Sequence, residues 1–151
     1  MFFDQEVMFF DEDVKTSDDI ITLLAKELQK NKIVTDEFLT NALQRETNFP
    51  TGLFTEGLGV AIPHTDSQYV NKSQIAFASL KHPVTFKSMV DINEEVPVKL
   101  VFMIAMASPH EQAGLLSNLM DLFQDKNALL ALDACTQKEK VIDILHKHNV
   151  S

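Results

Sequence analysis

Two histidines in this chain share a setting that suits chemistry. His64 ends the stretch Val60-Ala61-Ile62-Pro63-His64, and His110 ends Met106-Ala107-Ser108-Pro109-His110. Each follows an apolar run through a proline, which cannot donate to a sheet ladder and keeps the residue before it extended. Each imidazole therefore falls just past a predicted strand end, where α/β proteins bind ligands. The sole arginine, Arg45, precedes a loop holding three of the four glycines, Gly52, Gly57 and Gly59, which reads as backbone freedom just before His64. Its planar fork suits bidentate contact with phosphate or carboxylate. An attacking histidine, a second histidine on a helix start that favours anions, and a guanidinium match phosphoryl transfer through histidine. A neutral imidazole, with a reference pKa of about 6.5, attacks the phosphoryl group, and positioned donors stabilise the charge on its oxygens. A cationic neighbour offsets that charge, so no metal and no cofactor are expected.

The same residues also have ordinary readings. His64 and His110 read as structural or surface histidines, and Arg45 as a helix end bonding its last carbonyls. Asp66 reads as an orienting partner for His64 or as a cap of the next turn. Cys135 reads as a small buried hydrophobe, and His82, His146 and His148 as surface residues.

Helices and strands must position these side chains. Thr16 and Asp19 form a capping-box pair ahead of Ile20, Ile21, Leu24 and Leu28, which predicts an amphipathic helix over about 17–30. Thr35 caps a second predicted helix running through about Glu46. Strands are predicted at 75–80, at 84–86 after a His82-Pro83 turn, and at 98–107 as a central strand buried on both faces. Ser108 and Glu111 read as a capping box with Pro109 at the first helical position. Leu115, Leu116, Leu119, Leu122 and Phe123 supply that helix's apolar stripe, and helices over about 127–134 and 137–147 follow. Helices at both ends with strands between predict a three-layer α/β sandwich. If the strands before His64 and His110 are parallel neighbours, both rings meet at one rim.

The 151 residues suggest a single domain, 1–151. A formal charge of −9 argues against nucleic acid and anionic lipid as partners. One cysteine excludes a disulfide framework and any multi-cysteine metal site. The acidic N-terminus does not read as a signal peptide, and the longest apolar run, 100–107, is far short of the ~20 residues a membrane helix needs. The expectation is a cytoplasmic protein without direct membrane insertion.

The stretch "GVAIPHTD", residues 59–66, resembles the active-site signature of the enzyme IIA components of the sugar phosphotransferase system, in the fructose/mannitol superfamily. "QRETNFPTGL", residues 44–53, resembles the Arg-Glu and Thr-Gly elements that precede it, and "VKLVFMIAMASPHEQAGLLSNLMDLF", residues 98–123, the central strand, second histidine and leucine-rich helix. The longer loop before "AIPH" looks most like the galactitol-type branch. The resemblance implies a mixed, roughly five-stranded sheet flanked by helices, the mannitol-type enzyme IIA fold. It implies a phosphotransferase component in which His64 accepts a phosphoryl group from phospho-HPr and passes it to a cysteine of a IIB component. Through IIB, a IIC membrane permease takes up a sugar or sugar alcohol. His110 corresponds to the auxiliary histidine and Arg45 to the arginine of the Arg-Glu pair. Two other readings stand beside it: a regulatory IIA-like phosphoprotein that binds target proteins, and a non-catalytic anion-binding module. Phe49, Leu53 and Phe54 are expected to form an apolar docking patch beside the site or, alternatively, to seal the core.

Overall fold

The computed structural model describes residues 2–150, with Gln112 described by its backbone. Five strands form one mixed sheet: β1 (Met8–Glu12), β2 (Gly52–Leu53), β3 (Gly59–Ala61), β4 (Gln74–Lys87) and β5 (Glu95–Ala105). Their order is β1-β4-β5-β3-β2. β1 runs parallel to β4, β4 antiparallel to β5, β3 parallel to β5, and β2 antiparallel to β3. Helices α1 (Ser17–Lys30) and α2 (Phe38–Asn48) cover one face. Helices α3 (Pro109–Phe123), α4 (Lys126–Ala134) and α5 (Lys138–Lys147) cover the other. The predicted three-layer sandwich and five-stranded sheet are both present.

Strand periodicity builds the layers. Along β5, Val101, Met103 and Ala105 face α1 and α2, while Leu100, Phe102 and Ile104 face α3 to α5. From Leu100 to Ala105 both faces are buried and the run is apolar throughout, whereas residues 95–99 alternate between exposed or half-buried and buried. In α1, Ile20, Ile21, Leu24 and Leu28 are fully buried, each worth about 1.5–3 kcal/mol. The Thr16–Asp19 capping box is present and adds about 1 kcal/mol. Burial therefore holds α1 to the sheet, and the cap sets where it begins.

Several local expectations are corrected. His82-Pro83 is not a turn: both lie inside β4, within a register shift between Ser79 and Val84. There Lys99 alone of β5 lies opposite, and its Nζ donates to Leu80 O (2.6 Å). Pro83 is tolerated because it occupies an irregular part of the ladder. β1 had no predicted counterpart, since the acids beside Phe9 and Phe10 hide its pattern. α2 begins at Phe38 behind Glu37, and Thr35 Oγ1 accepts from Glu37 N (3.3 Å) rather than capping the helix. Ser108 caps α3 through His110 N (3.3 Å), but Glu111 accepts instead from Ser73 Oγ (2.8 Å), so the box does not close.

Gly52 and Gly59 serve close approach, not left-handed turns. Among the described residues no glycine has positive φ. A Cβ on Gly59 would lie 2.1 Å from Pro97 O, and one on Gly52 would lie 2.6 Å from Lys87 O. β2 and β3 pack against the rest of the sheet only because these positions lack side chains.

Candidate functional site

β3 and β5 are parallel neighbours, the condition set for the rings of His64 and His110 to meet at one rim. Past β3 the chain keeps following β5: Ile104 N donates to Pro63 O (3.0 Å), and His64 forms a single bridge with Ile104. His64 is half-buried there. Its Nδ1 lies 2.8 Å from Ile62 O. A carbonyl only accepts, so Nδ1 carries the proton and Nε2 keeps its lone pair. Burial pushes the His64 pKa below its usual value, the Ile62 carbonyl opposes this, Arg45 lowers it further and Asp66 raises it. The ring is therefore neutral at neutral pH.

A cavity of about 380 Å³ opens beside the ring, lined by Arg45, Asp66, Ser67 and Pro109 among others. Arg45 comes from α2 and lays its guanidinium 5.3 Å from the Phe49 ring centroid. Its Nη1 is 3.7 Å from Asp66 Oδ1. Its Nε is buried and finds no acceptor among the described residues. Asp66 thus neither orients His64 nor caps the following 3-10 turn, Ser67–Tyr69; it faces Arg45. Pro109 brings the N-terminus of α3, with its partial positive charge, to the same cavity. His110 is the next residue, exposed in the first turn of α3, and does not line this cavity.

The residue after Arg45 braces the loop. Glu46 is buried, and its two carboxylate oxygens accept from Thr51 N (2.7 Å) and Thr51 Oγ1 (2.7 Å). Thr51 O in turn accepts from Ile62 N (3.3 Å). The brace thus reaches from α2 to the strand end that presents His64. Glu46 was legible as half of an Arg-Glu pair, but its hydrogen bonds were not.

A second cavity, about 640 Å³, also touches Arg45 and His64 and is lined by Phe49, Met89, Val90, Ile92 and Leu116 among others. Phe49 is 65% exposed and Val90 86%. The expected patch of Phe49, Leu53 and Phe54 is therefore divided. Phe49 joins the His64 groove, while Leu53 and Phe54 line a separate cavity with Met120 and Phe123. The β4–β5 loop residues Met89, Val90 and Ile92 were missed; their signal is three large apolar residues in an otherwise polar turn.

A model of the family "Phosphoenolpyruvate-dependent sugar phosphotransferase system, EIIA 2" matches residues 1–148. The chain belongs to that family of phosphotransferase components. It is 28% identical over 114 residues to the galactitol-specific EIIA component of the Escherichia coli K12 phosphotransferase system, covering 76% of this chain and 75% of that one. Its fold is similar to the crystal structure of IIA mannitol from Escherichia coli, with a TM-score of 0.76, 23% identity, and 93% and 96% of the two chains covered. It is also similar to the Escherichia coli complex of enzyme IIA mannitol with phosphorylated enzyme IIB mannitol, with a TM-score of 0.75, 22% identity, and coverage of 94% and 95%. Among the described residues no helix is long and apolar enough to cross a membrane.

Proposed function

We propose that this chain is a histidine phosphocarrier that takes a phosphoryl group from phospho-HPr on His64 and delivers it to a cysteine of a IIB component, serving uptake of a galactitol-like sugar alcohol through a IIC permease from the cytoplasm. The Nε2 lone pair attacks phosphorus. The N–P bond forms as the bond from phosphorus to HPr breaks, and HPr keeps that electron pair. Nδ1 retains its proton, and its hydrogen bond to Ile62 O offsets the positive charge that the ring acquires. The cysteine thiolate of IIB then attacks phosphorus; the P–S bond forms, the N–P bond breaks, and the ring returns neutral.

Arg45 and the N-terminus of α3 stabilise the phosphoryl oxygens in the adjoining cavity. His110 assists from the exposed side of that helix start. The groove of Phe49, Met89, Val90 and Ile92 receives apolar surface of the donor and the acceptor in turn. The observation that carries this reading is the hydrogen bond from His64 Nδ1 to Ile62 O, which commits one ring nitrogen and leaves the other nucleophilic beside a guanidinium.

The test is incubation with enzyme I, phosphoenolpyruvate and HPr, followed by intact mass measurement. One acid-labile, base-stable phosphoryl group is expected, lost in His64→Ala. A chain that stays unmodified with active donor overturns the reading. Addition of a galactitol-type IIB then tests the onward step: the phosphoryl group should move to the IIB cysteine.

A further inference from the structure

Arg45 is incompletely satisfied in a way that points to a second occupant. Its Nε is buried without an acceptor among the described residues, while Nη1 faces Asp66 Oδ1 at 3.7 Å. That separation is an ion pair but too long for a good hydrogen bond. Asp66 stands two residues after His64, and its carbonyl accepts from Tyr69 N (3.2 Å), which anchors the turn that presents its side chain. Carboxylate, guanidinium and imidazole all border one cavity of about 380 Å³.

We propose that Asp66 is a positioning residue for phosphoryl transfer, holding Arg45 at the cavity while His64 is unmodified and competing with the phosphoryl group for that guanidinium once it is attached. The inference rests on the phosphocarrier reading above. A phosphoryl group carries close to two negative charges at neutral pH and offers three acceptor oxygens. It outbids a single carboxylate for a bidentate guanidinium. Asp66 is then left without its cation beside a dianion. The phosphorylated state carries a penalty that the unmodified state does not, so the phosphoryl group is held less tightly and passes on more readily.

Removing the carboxylate charge should stabilise the phosphorylated form. A surface charge pair near 4 Å is worth about 1 kcal/mol, or about fivefold in an equilibrium constant. The experiment mixes the protein with a limiting pool of phospho-HPr, lets exchange reach equilibrium, and measures the phosphorylated fraction by intact mass. Asp66→Asn is expected to raise the exchange constant toward the phosphoprotein about fivefold at low salt, with the gain shrinking in high salt. Asp66→Glu should return it close to wild type, and an Arg45→Gln background should reduce the Asp66→Asn gain to less than twofold. Melting temperatures should stay level between wild type and the Asp66 variants, because the pair is exposed.

An unchanged exchange constant in Asp66→Asn overturns the inference, as does a gain that survives intact in the Arg45→Gln background. Failure of the wild type to be phosphorylated is a different result, which sinks the phosphocarrier reading itself.

Discussion

Replacing Glu46 by alanine removes one side chain and strands two buried donors. The Thr51 N–H and hydroxyl each give a 2.7 Å hydrogen bond to the Glu46 carboxylate, and both residues are buried. An unsatisfied buried donor costs about 1–3 kcal/mol. With some recovery as the hydroxyl turns to another acceptor or water enters, Glu46→Ala should lose about 3 kcal/mol. For a chain of this size that is a fall in melting temperature of about 6–12 °C. Glu46→Gln should behave differently. Its amide oxygen can accept from Thr51 N while its NH₂ donates to Thr51 Oγ1, so the loss should stay within about 1 kcal/mol. The pH dependence separates the two further. Burial, the largest influence, holds the Glu46 pKa above its ordinary value, against the two Thr51 hydrogen bonds. The folded chain therefore binds this proton more tightly than the unfolded chain, and the stability that proton supplies is lost as pH rises through the raised pKa. Glu46→Gln should lack this component. The assay is urea and thermal unfolding of the three proteins between pH 4 and 8. If alanine costs less than 1 kcal/mol, or glutamine costs as much as alanine, then the brace between α2 and the His64 strand is not what holds this loop.

Other consequences follow from the same geometry. Because the His64 pKa is depressed chiefly by burial, its neutral nucleophilic form persists below the ordinary histidine value of about 6.5, so the rate of phosphoryl uptake should hold level from pH 8 to 6.5 and decline only below; a midpoint above 6.5 would contradict the burial argument. Gly59→Ala forces a Cβ to within 2.1 Å of Pro97 O and should destabilise by about 2–3 kcal/mol while displacing His64, read as a lower melting temperature together with slowed uptake. Val90→Ser with Phe49→Ala should raise the KM for phospho-HPr about tenfold with the melting temperature unchanged; lost stability with unchanged KM would return these residues to a core role. His148 places Nδ1 3.0 Å from Ile144 O and Nε2 3.0 Å from Asp125 Oδ2, two acceptors that only the doubly protonated ring satisfies. The Ile144 carbonyl, with Asp125, raises its pKa, so its contribution is full below about 6.5 and is lost as pH rises through the raised value; His148→Ala should lower the melting temperature more at pH 6 than at pH 9.

Much of the architecture was legible because it is written in local periodicity. The Thr16–Asp19 box, the stripe of α1, the run of β5 and the proline at the start of α3 depend on residues within a few positions of one another. Those interactions survive any rearrangement of the rest of the chain. Their order also suggested three layers, since helices flanking strands can bury their apolar faces in few ways. The misread parts depend on partners far along the chain. β1 is a strand because β4 is there to pair with it, and Pro83 stays inside β4 because a register shift at Lys99 removes the ladder bond that it cannot make.

The candidate site divides along the same line. The residue types, His64 after a proline at a strand end and an arginine ahead of a glycine-containing loop, were determined by the sequence itself, and with them the kind of chemistry available. The tertiary structure decided which groups meet. It paired Arg45 of α2 with Asp66 beyond the end of β3, left His110 exposed outside the smaller cavity, and brought Met89, Val90 and Ile92 of a distant hairpin to the same groove as Phe49. It also fixed which His64 ring nitrogen carries the proton, because the direction of the Ile62 carbonyl is a property of the folded backbone and not of the residues' identities. Short-range pattern encodes what each segment can be. Distances between side chains far apart in the chain exist only once the sheet order and its register have been set.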